Sequence, residues 1–238
     1  MTSSAPKPAG WSGDLDLGDG WAVWRGAVGD AAIHRHLAAQ AVFAPEPIAI
    51  TDAEGRTATG CCVLVDPLVA HRLGAHPHAE LVFVEPARRL PPSVAERLEA
   101  ARSAGALVLI SAPQGPRFWA RWLAEPDTPA APSDPRIAAA LEAIETMIAD
   151  GPASLAAAAK ASGLSSERFR HRFADQVGVP FRRYVQWRRL RLAAAALSAG
   201  EDATRAAHTA GFADSAHFAR TLKATFGVTA GQALTRSR

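Results

Sequence analysis

An internal repeat near the C-terminus constrains the fold of this chain more than any other feature of its sequence. Each copy places an alanine four residues before a glycine, followed by two apolar anchors four residues apart. The alanine lets two helices cross closely, the glycine permits a tight turn, and the anchors bury one stripe of the second helix. Each copy therefore predicts a helix-turn-helix unit with one free helix face. The repeated residues are Ala159, Gly163, Phe169 and Phe173, and then Ala207, Gly211, Phe218 and Leu222.

A long helix, from about Phe181 to Leu197, is predicted between the two units. At roughly 1.5 Å per residue it spans about 25–30 Å, close to the roughly 34 Å between successive major grooves. One chain could therefore place both second helices in adjacent grooves of a duplex. The other predicted helices of this region are Ile137–Ala149, Leu155–Ala161, Ser166–Val177, Ala203–Thr209 and Ser215–Phe226.

Charge is divided unevenly along the chain. Residues 134–238 contain 15 Lys and Arg against 9 Asp and Glu, whereas residues 1–133 contain 11 against 14. This asymmetry predicts that only the C-terminal half contacts a polyanion, which we expect to be double-stranded DNA. On the first free helix face, Glu167, Arg170 and His171 are candidates for reading bases, and Arg168 and Arg172 for phosphates. The candidates on the second helix are Ala216, Ala219, Arg220 and Lys223, with His217 beside them.

An all-helical interaction domain is the alternative, but two matched copies in a basic segment favour DNA binding. Residues 137–234 resemble the DNA-binding domain of the AraC/XylS family of bacterial transcription regulators. The similarity lies in residues 155–173, in the long helix from Tyr184 to Leu197, and in residues 206–229. It implies base-reading positions at Glu167, Arg170 and His171 in the first unit. In the second unit it implies Ser215, Ala216, His217 and Arg220.

The remainder of the chain predicts a multidomain α and β protein. We expect a disordered leader over residues 1–10, a sensing or dimerisation domain over 11–125, a proline-rich linker over 126–135, and the helical DNA-binding domain over 136–238. Short apolar segments in the second part predict a cupin-like β-barrel with flanking helices. The predicted strands are His34–Phe43, Ile48–Ile50, Thr57–Val65 and Leu81–Val84, and the predicted helices are Ser93–Ala104 and Arg117–Leu123 around an apolar stretch, Ala106–Ile110.

Histidines concentrate in the N-terminal part, where five of eight lie between His34 and His78. His34, His36 and Gln40 would share one face of a strand, and with His71 they resemble a degenerate cupin metal motif. In that motif a carboxylate stands at the place of Gln40, and an amide is a weaker ligand. Three imidazoles could still bind zinc or a similar ion. The alternative is a hydrogen-bonded lining or a contact with an organic effector.

Other residues have simpler interpretations. Cys61 and Cys62 are adjacent, so their side chains alternate in a strand and would not converge on one ion. Buried packing is the favoured interpretation over a thiol sensor. We expect residues 76–78 to form a loop, and Trp119 and Trp122 to pack in the core or at a dimer surface.

These patterns favour a cytoplasmic transcriptional regulator, either an activator or a repressor, whose N-terminal domain binds a small-molecule effector, dimerises, or both. RNA polymerase is a further candidate partner, and no membrane association, catalytic residue or obligatory cofactor is expected. Two alternatives remain at this point. One is a cupin-type metalloenzyme fused to a DNA-binding domain, and the other is a constitutive DNA-binding protein whose barrel only dimerises.

Overall fold

A computed structural model describes residues 10–85, 88, 90–111, 117–126 and 134–229 of the chain. Within these residues a β-rich N-terminal domain precedes an all-helical C-terminal domain, which confirms the predicted fold class. Apart from Gly10, the expected leader lies outside the described residues, as does most of the proline-rich linker. The strands are β1 Ser12–Gly18, β2 Trp21–Val28, β3 Ala39–Asp52, β4 Thr57–Val65, β5 His71–Leu73, β6 His76–Val84 and β7 Leu107–Ile110.

The seven strands form one mixed sheet in the order β1-β2-β6-β3-β4-β7, with β5 paired to β3. All pairs are antiparallel except β4 with β7. The longest strand, β3, joins two segments that the sequence predicts as separate strands. Its register with β4 shifts between Phe43 and Ile48. This irregularity spans Pro45 and Pro47. Proline has no backbone N–H to donate to a neighbouring strand, so the sequence predicts two strands where the structure has one.

Two sequence predictions for this domain are wrong, and two strands were missed. His34 and His36 precede β3 rather than lying within a strand, although His34 forms an isolated bridge with His71. The segment from His76 to His78 is not a loop, because it begins β6. Strands β1 and β2 were not predicted, although Leu15 and Leu17 alternate with acidic residues in the period of a half-buried strand.

Two helices, α1 Pro92–Ser103 and α2 Phe118–Ala124, cover one face of the sheet. Trp119 is fully buried there, and its indole Nε1 donates to the Val65 carbonyl at 2.9 Å. The backbone N–H of Trp119 donates to Asp66 at 2.9 Å. Trp122 is also buried in this layer. The packing interpretation of both tryptophans is therefore the correct one.

The C-terminal domain follows the predicted helices closely because each start and stop is encoded locally. Side chains of Asp134, Ser154, Ser165, Asp202 and Asp214 cap helix N-termini. Left-handed glycines end the two helices that close the units, Gly178 with φ +80° and Gly227 with φ +72°. The helices are α3 Pro135–Asp150, α4 Leu155–Ala161, α5 Ser166–Val177, α6 Phe181–Ser198, α7 Ala203–Thr209 and α8 Ser215–Phe226.

The second face of the sheet packs against the helical domain. One continuous apolar cluster runs from the sheet residues Trp24, Leu81 and Phe83 to Phe181 and Trp187 of α6. The backbone N–H of Ala32 also donates to the Gly227 carbonyl, at 3.2 Å. The two domains therefore share a core. None of the helices in the described part of the chain has the length and apolarity needed to cross a membrane.

Candidate nucleic-acid interface and interdomain cavity

The first helix-turn-helix unit consists of α4 and α5. Phe169 and Phe173 are fully buried, with ring centroids 5.4 Å apart, and they attach α5 to the domain core. Gly163 takes φ +65° in the turn, as a glycine at this position was predicted to do. Most of the rest of the surface of α5 is exposed. It carries Glu167, Arg168, Arg170, His171 and Arg172.

The second unit, α7 and α8, repeats this construction. Ala207 is fully buried beneath Phe218, and Gly211 takes φ +72° in the turn. The N-cap carboxylate of Asp214 accepts the backbone N–H of His217 at 2.5 Å, which orders the first turn of α8. The residues predicted to face DNA are exposed or half-buried on this helix: Ser215, Ala216, His217, Arg220 and Lys223.

The two exposed faces differ in chemistry. Helix α5 presents three arginines, two of which face a shallow surface depression together with Arg136 of α3. Arg172 is not wholly free for a phosphate, because one of its side-chain nitrogens lies 3.4 Å from the Asp134 carboxylate. Helix α8 presents only Arg220 and Lys223 as permanent cations. The first unit therefore offers the denser set of charged hydrogen-bond donors for a phosphate backbone and base edges.

A cavity of about 120 Å³ lies between the sheet and the helical domain. Its lining is almost wholly apolar and comes from both domains, so an occupant would contact the sheet and α8 together. The only charged side chain among the described lining residues is Arg191 of α6. The lining includes Trp11, Trp24, His34, Gln40, Leu81, Phe83, Trp187, Ala194, Phe218 and Phe226.

Two buried donors face this region without a hydrogen-bond partner in the described part of the chain: the indole nitrogens of Trp11 and Trp24. The rings of these tryptophans pack edge to face at 5.7 Å. A buried N–H without an acceptor is costly, about 1–3 kcal/mol. Both residues line the cavity, so an acceptor atom placed in it could satisfy either donor.

Beside the cavity, Glu85 connects the sheet to α6. Its side chain is 1% exposed and accepts from Trp187 Nε1 at 3.0 Å, Arg188 Nη1 at 2.8 Å and Arg191 Nη1 at 2.6 Å. Arg188 also donates to Glu145 of α3 at 2.5 Å. This group, Glu85 with Trp187, Arg188 and Arg191, is called the junction cluster below. Glu85 was not among the predicted site residues, because a single carboxylate after an apolar strand has no motif around it.

The predicted histidine group does assemble, although two of its members lie outside strands. His34, His36 and His71 are buried, and one nitrogen of each ring lies within 4.8 Å of those of the other two. The Gln40 side chain lies 3.1 Å from His36 Nε2 and 3.0 Å from His71 Nε2. Cys61 and Cys62 do not join this group: Cys61 is exposed and Cys62 is buried on the α1 face of the sheet.

Two helix-turn-helix units, each with an exposed polar face, define a DNA-binding transcription regulator. Residues 158–236 match the family model described as "Helix-turn-helix domain". The C-terminal domain is accordingly an AraC-type DNA-binding domain, which confirms the resemblance drawn from the sequence. A comparison with curated proteins finds no match to this chain.

Solved structures of ToxT share the two-domain fold. ToxT from Vibrio cholerae O395 aligns with a TM-score of 0.56 and 10% identity, covering 90% of this chain and 96% of ToxT. Wild-type ToxT from strain SCE256, bound to an unsaturated fatty acid, aligns with a TM-score of 0.54 and 11% identity, covering 88% and 92%. At this identity the likeness shows the fold alone, and the fold extends over both domains.

Proposed function

We propose that this chain is a sequence-specific transcriptional regulator whose affinity for its operator is set by a small molecule bound in the interdomain cavity. The observation that carries the proposal is that the cavity is lined by the sheet, by α6 and by α8. An occupant that fits one arrangement of these elements better than another shifts the population toward it. Helix α8 of the second unit would thereby change its position relative to helix α5 of the first.

The lining suggests the chemistry of the effector. A cavity of about 120 Å³ is comparable to apolar protein cavities of roughly 150 Å³ that bind benzene. The unpartnered N–H groups of Trp11 and Trp24 and the guanidinium of Arg191 favour a ligand with an acceptor or a negative charge at one end. We therefore propose a small amphiphile with an apolar body and a carboxylate. The fatty acid bound to ToxT is of this class.

On this proposal the protein acts in the cytoplasm, where its DNA target is found. We further propose that it functions as a homodimer and contacts RNA polymerase at the promoter. We place the dimer contact on the outer surface of helix α1, whose Val94 and Leu98 pack against the sheet. Sedimentation of the purified protein with and without operator DNA tests the oligomeric state.

Two arginines of α5 test the DNA-binding half of the proposal. Arg170 and Arg168 are both exposed on α5, and we assign Arg170 to base edges and Arg168 to phosphates. Once the operator is identified by genome-wide mapping, Arg170→Ala should cost about 1–3 kcal/mol and relax sequence preference. Arg168→Ala should weaken binding to all sequences to a similar extent. Equal losses of selectivity in the two variants would show that the face assignment is wrong.

Substitutions at two neighbouring alanines test the part of the proposal that concerns the effector. Ala194 of α6 lines the cavity, while its neighbour Ala195 is exposed. Ala194→Phe should fill the cavity and abolish the effect of medium-length carboxylic acids on operator affinity and on tryptophan fluorescence. Ala195→Phe should leave both responses intact. If such acids change neither the melting temperature nor the operator affinity of the wild type, the cavity does not bind this class of effector.

A further inference from the structure

We infer that the acidic group of the effector competes with Glu85 for the guanidinium of Arg191, so that binding in the interdomain cavity releases part of α6 from the sheet. This inference rests on the proposed function, because it assigns the regulatory step to the same cavity and the same class of effector. Arg191 lines the cavity and also belongs to the junction cluster. The carboxylate of Glu85 therefore occupies a donor that the acidic group of a ligand would need.

Arg191 lies on the face of α6 that lines the cavity. Trp187 precedes it by one helical turn, Ala194 follows it by three residues, and both contribute to the same lining. The guanidinium extends to the end of the sheet, where Nη1 donates to Glu85 at 2.6 Å and Nη2 donates to the Gly18 carbonyl. A ligand in the cavity would consequently lie beside an arginine whose two terminal nitrogens already have acceptors.

The two acceptors are fixed by the backbone of the sheet, whereas the arginine is not. The backbone N–H of Glu85 donates to the Gly20 carbonyl at 2.8 Å, which holds the residue after β6 against the turn between β1 and β2. Gly18 ends β1, which is paired with β2 over its whole length. Arg191 reaches both acceptors through a long side chain with several rotatable bonds. An exchange of partners therefore requires movement of the guanidinium and not of the sheet.

Each buried charge still has a partner after the exchange. Glu85 keeps the donors of Trp187 at 3.0 Å and Arg188 at 2.8 Å. Arg191 loses one carboxylate and gains that of the ligand. Arg188 also binds Glu145, whose side chain is 35% exposed, so water shares in stabilising this second carboxylate. Because no charge is left buried without compensation, the main cost of disrupting a buried ion pair is avoided.

The indoles of Trp11 and Trp24 are the other candidates for binding the acidic group. Their N–H groups are free within the described part of the chain, but they are neutral. A carboxylate in an apolar cavity is stabilised more by a hydrogen bond from a charged donor than by one from a neutral donor. Arg191 is the only charged side chain among the described lining residues, so the acidic group is assigned to it.

Release of Arg191 changes how α6 is held. In this structure three side chains of α6 donate to Glu85, and Arg191 is the one nearest in sequence to the second helix-turn-helix unit. Helix α6 is continuous between the two units. Loss of the attachment at this end would therefore let α8 change its position relative to α5. The exchange connects occupation of the cavity to the arrangement of the two DNA-binding helices.

Calorimetric titration with hexanoate and with hexanamide tests this competition, because the two probes share an apolar chain and only hexanoate is charged. Glu85→Gln keeps the shape of the side chain but weakens its hold on Arg191. It should bind hexanoate at least about fivefold more tightly than the wild type, while its affinity for hexanamide changes less than about twofold. Arg191→Gln should bind hexanoate more weakly than the wild type. In the Arg191→Gln background, Glu85→Gln should no longer change hexanoate affinity, because the competition acts through Arg191.

Glu80→Gln is the matched control. Glu80 also binds two arginines, but it is not among the described residues that line the cavity, so this variant should bind hexanoate as the wild type does. Circular dichroism establishes that each variant is folded. If Glu85→Gln does not fold, Glu85→Asp decides. It keeps the charge but withdraws the carboxylate from Arg191 by one methylene group, and it should also tighten hexanoate binding.

Operator affinity provides a second measurement. Without any acid, Glu85→Gln should shift operator affinity in the direction in which hexanoate shifts that of the wild type, and an opposite shift would overturn the inference. Hexanoate binding that is unchanged in Glu85→Gln, or equally tightened in the Arg191→Gln background, would overturn it and leave the proposed function intact. So would weaker hexanoate binding in Trp24→Phe together with unchanged binding in Arg191→Gln. If the wild type binds neither probe, the proposed class of effector is wrong, and the inference is overturned with it.

Discussion

Replacing Glu85 by alanine removes the acceptor at the centre of the junction cluster. The carboxylate receives hydrogen bonds from Trp187, Arg188 and Arg191 and is 1% exposed. After the substitution Arg188 keeps Glu145, at 2.5 Å, and Arg191 keeps only the Gly18 carbonyl. The positive charge of Arg191 would therefore lack a carboxylate partner in a largely buried position.

Removal of one partner from a buried ion pair typically costs about 3–5 kcal/mol, because the other charge stays buried without compensation. Since Arg188 retains a second carboxylate, we expect Glu85→Ala to cost about 3 kcal/mol, at the lower end of this range. The loss should be greatest in the contact between the domains. Opening there would expose Trp187 to water while α5 and α8 remain folded.

Denaturation in urea, followed by tryptophan fluorescence and separately by helix content, measures this effect. Glu80→Ala is the matched control, because Glu80 also binds two arginines, Arg25 and Arg97. Their side chains are 51% and 47% exposed, so this pair should contribute no more than about 1 kcal/mol. If Glu80→Ala and Glu85→Ala lower the free energy of unfolding equally, burial does not determine how much the junction cluster contributes to stability. In that case the other contacts between the domains, mainly apolar ones, would hold them together.

Three further predictions concern other parts of the chain. Burial raises the pKa of Cys62 to about 11, so a thiol reagent at pH 8 should label only Cys61 in the native protein and both cysteines after denaturation. Gly227→Ala should destabilise the protein more than Gly178→Ala, since both glycines have left-handed φ but only the first would place a Cβ against another segment, as melting temperatures would show. The Arg136 side chain lowers the pKa of Asp134 to about 2, so the stability difference between wild type and Asp134→Asn should be complete above pH 3.8 and shrink toward pH 2. A thiol count of two in the native protein, equal melting temperatures for the glycine variants, or a pH-independent difference would contradict the respective prediction.

The helical domain could be predicted from the sequence almost to the residue because its information is local. Caps such as Ser154 and Ser165, and glycines such as Gly178, start and stop helices through contacts within a few residues. Exposure of Arg170 follows from the same periodicity, since it is set by the positions of Phe169 and Phe173. The contact of Arg170 with DNA bases stays a prediction.

The N-terminal domain was less predictable because its pairing is non-local. Strand β1 contacts β2 only, and β2 is joined to β6, which follows it by some fifty residues in the chain. The histidine group illustrates the point differently. His34 and His36 were expected on one face because a strand was predicted there, and that strand is absent from these residues. The rings nevertheless come together, because a backbone bridge joins His34 to His71. The junction cluster could not be predicted, because Glu85 and Arg191 are separated by the whole first unit.

Helix α6 separates the two reading units and also carries Trp187, Arg188 and Arg191 to Glu85. Inserting one residue in α6 would advance the second unit by about 1.5 Å and turn it by about 100°. If the residue were inserted before Trp187, the same turn would carry the two arginines away from Glu85. A change in the length of this helix would therefore require simultaneous changes in operator spacing and in the sheet. Substitutions on the exposed faces of α5 and α8 can change DNA specificity without requiring these simultaneous changes.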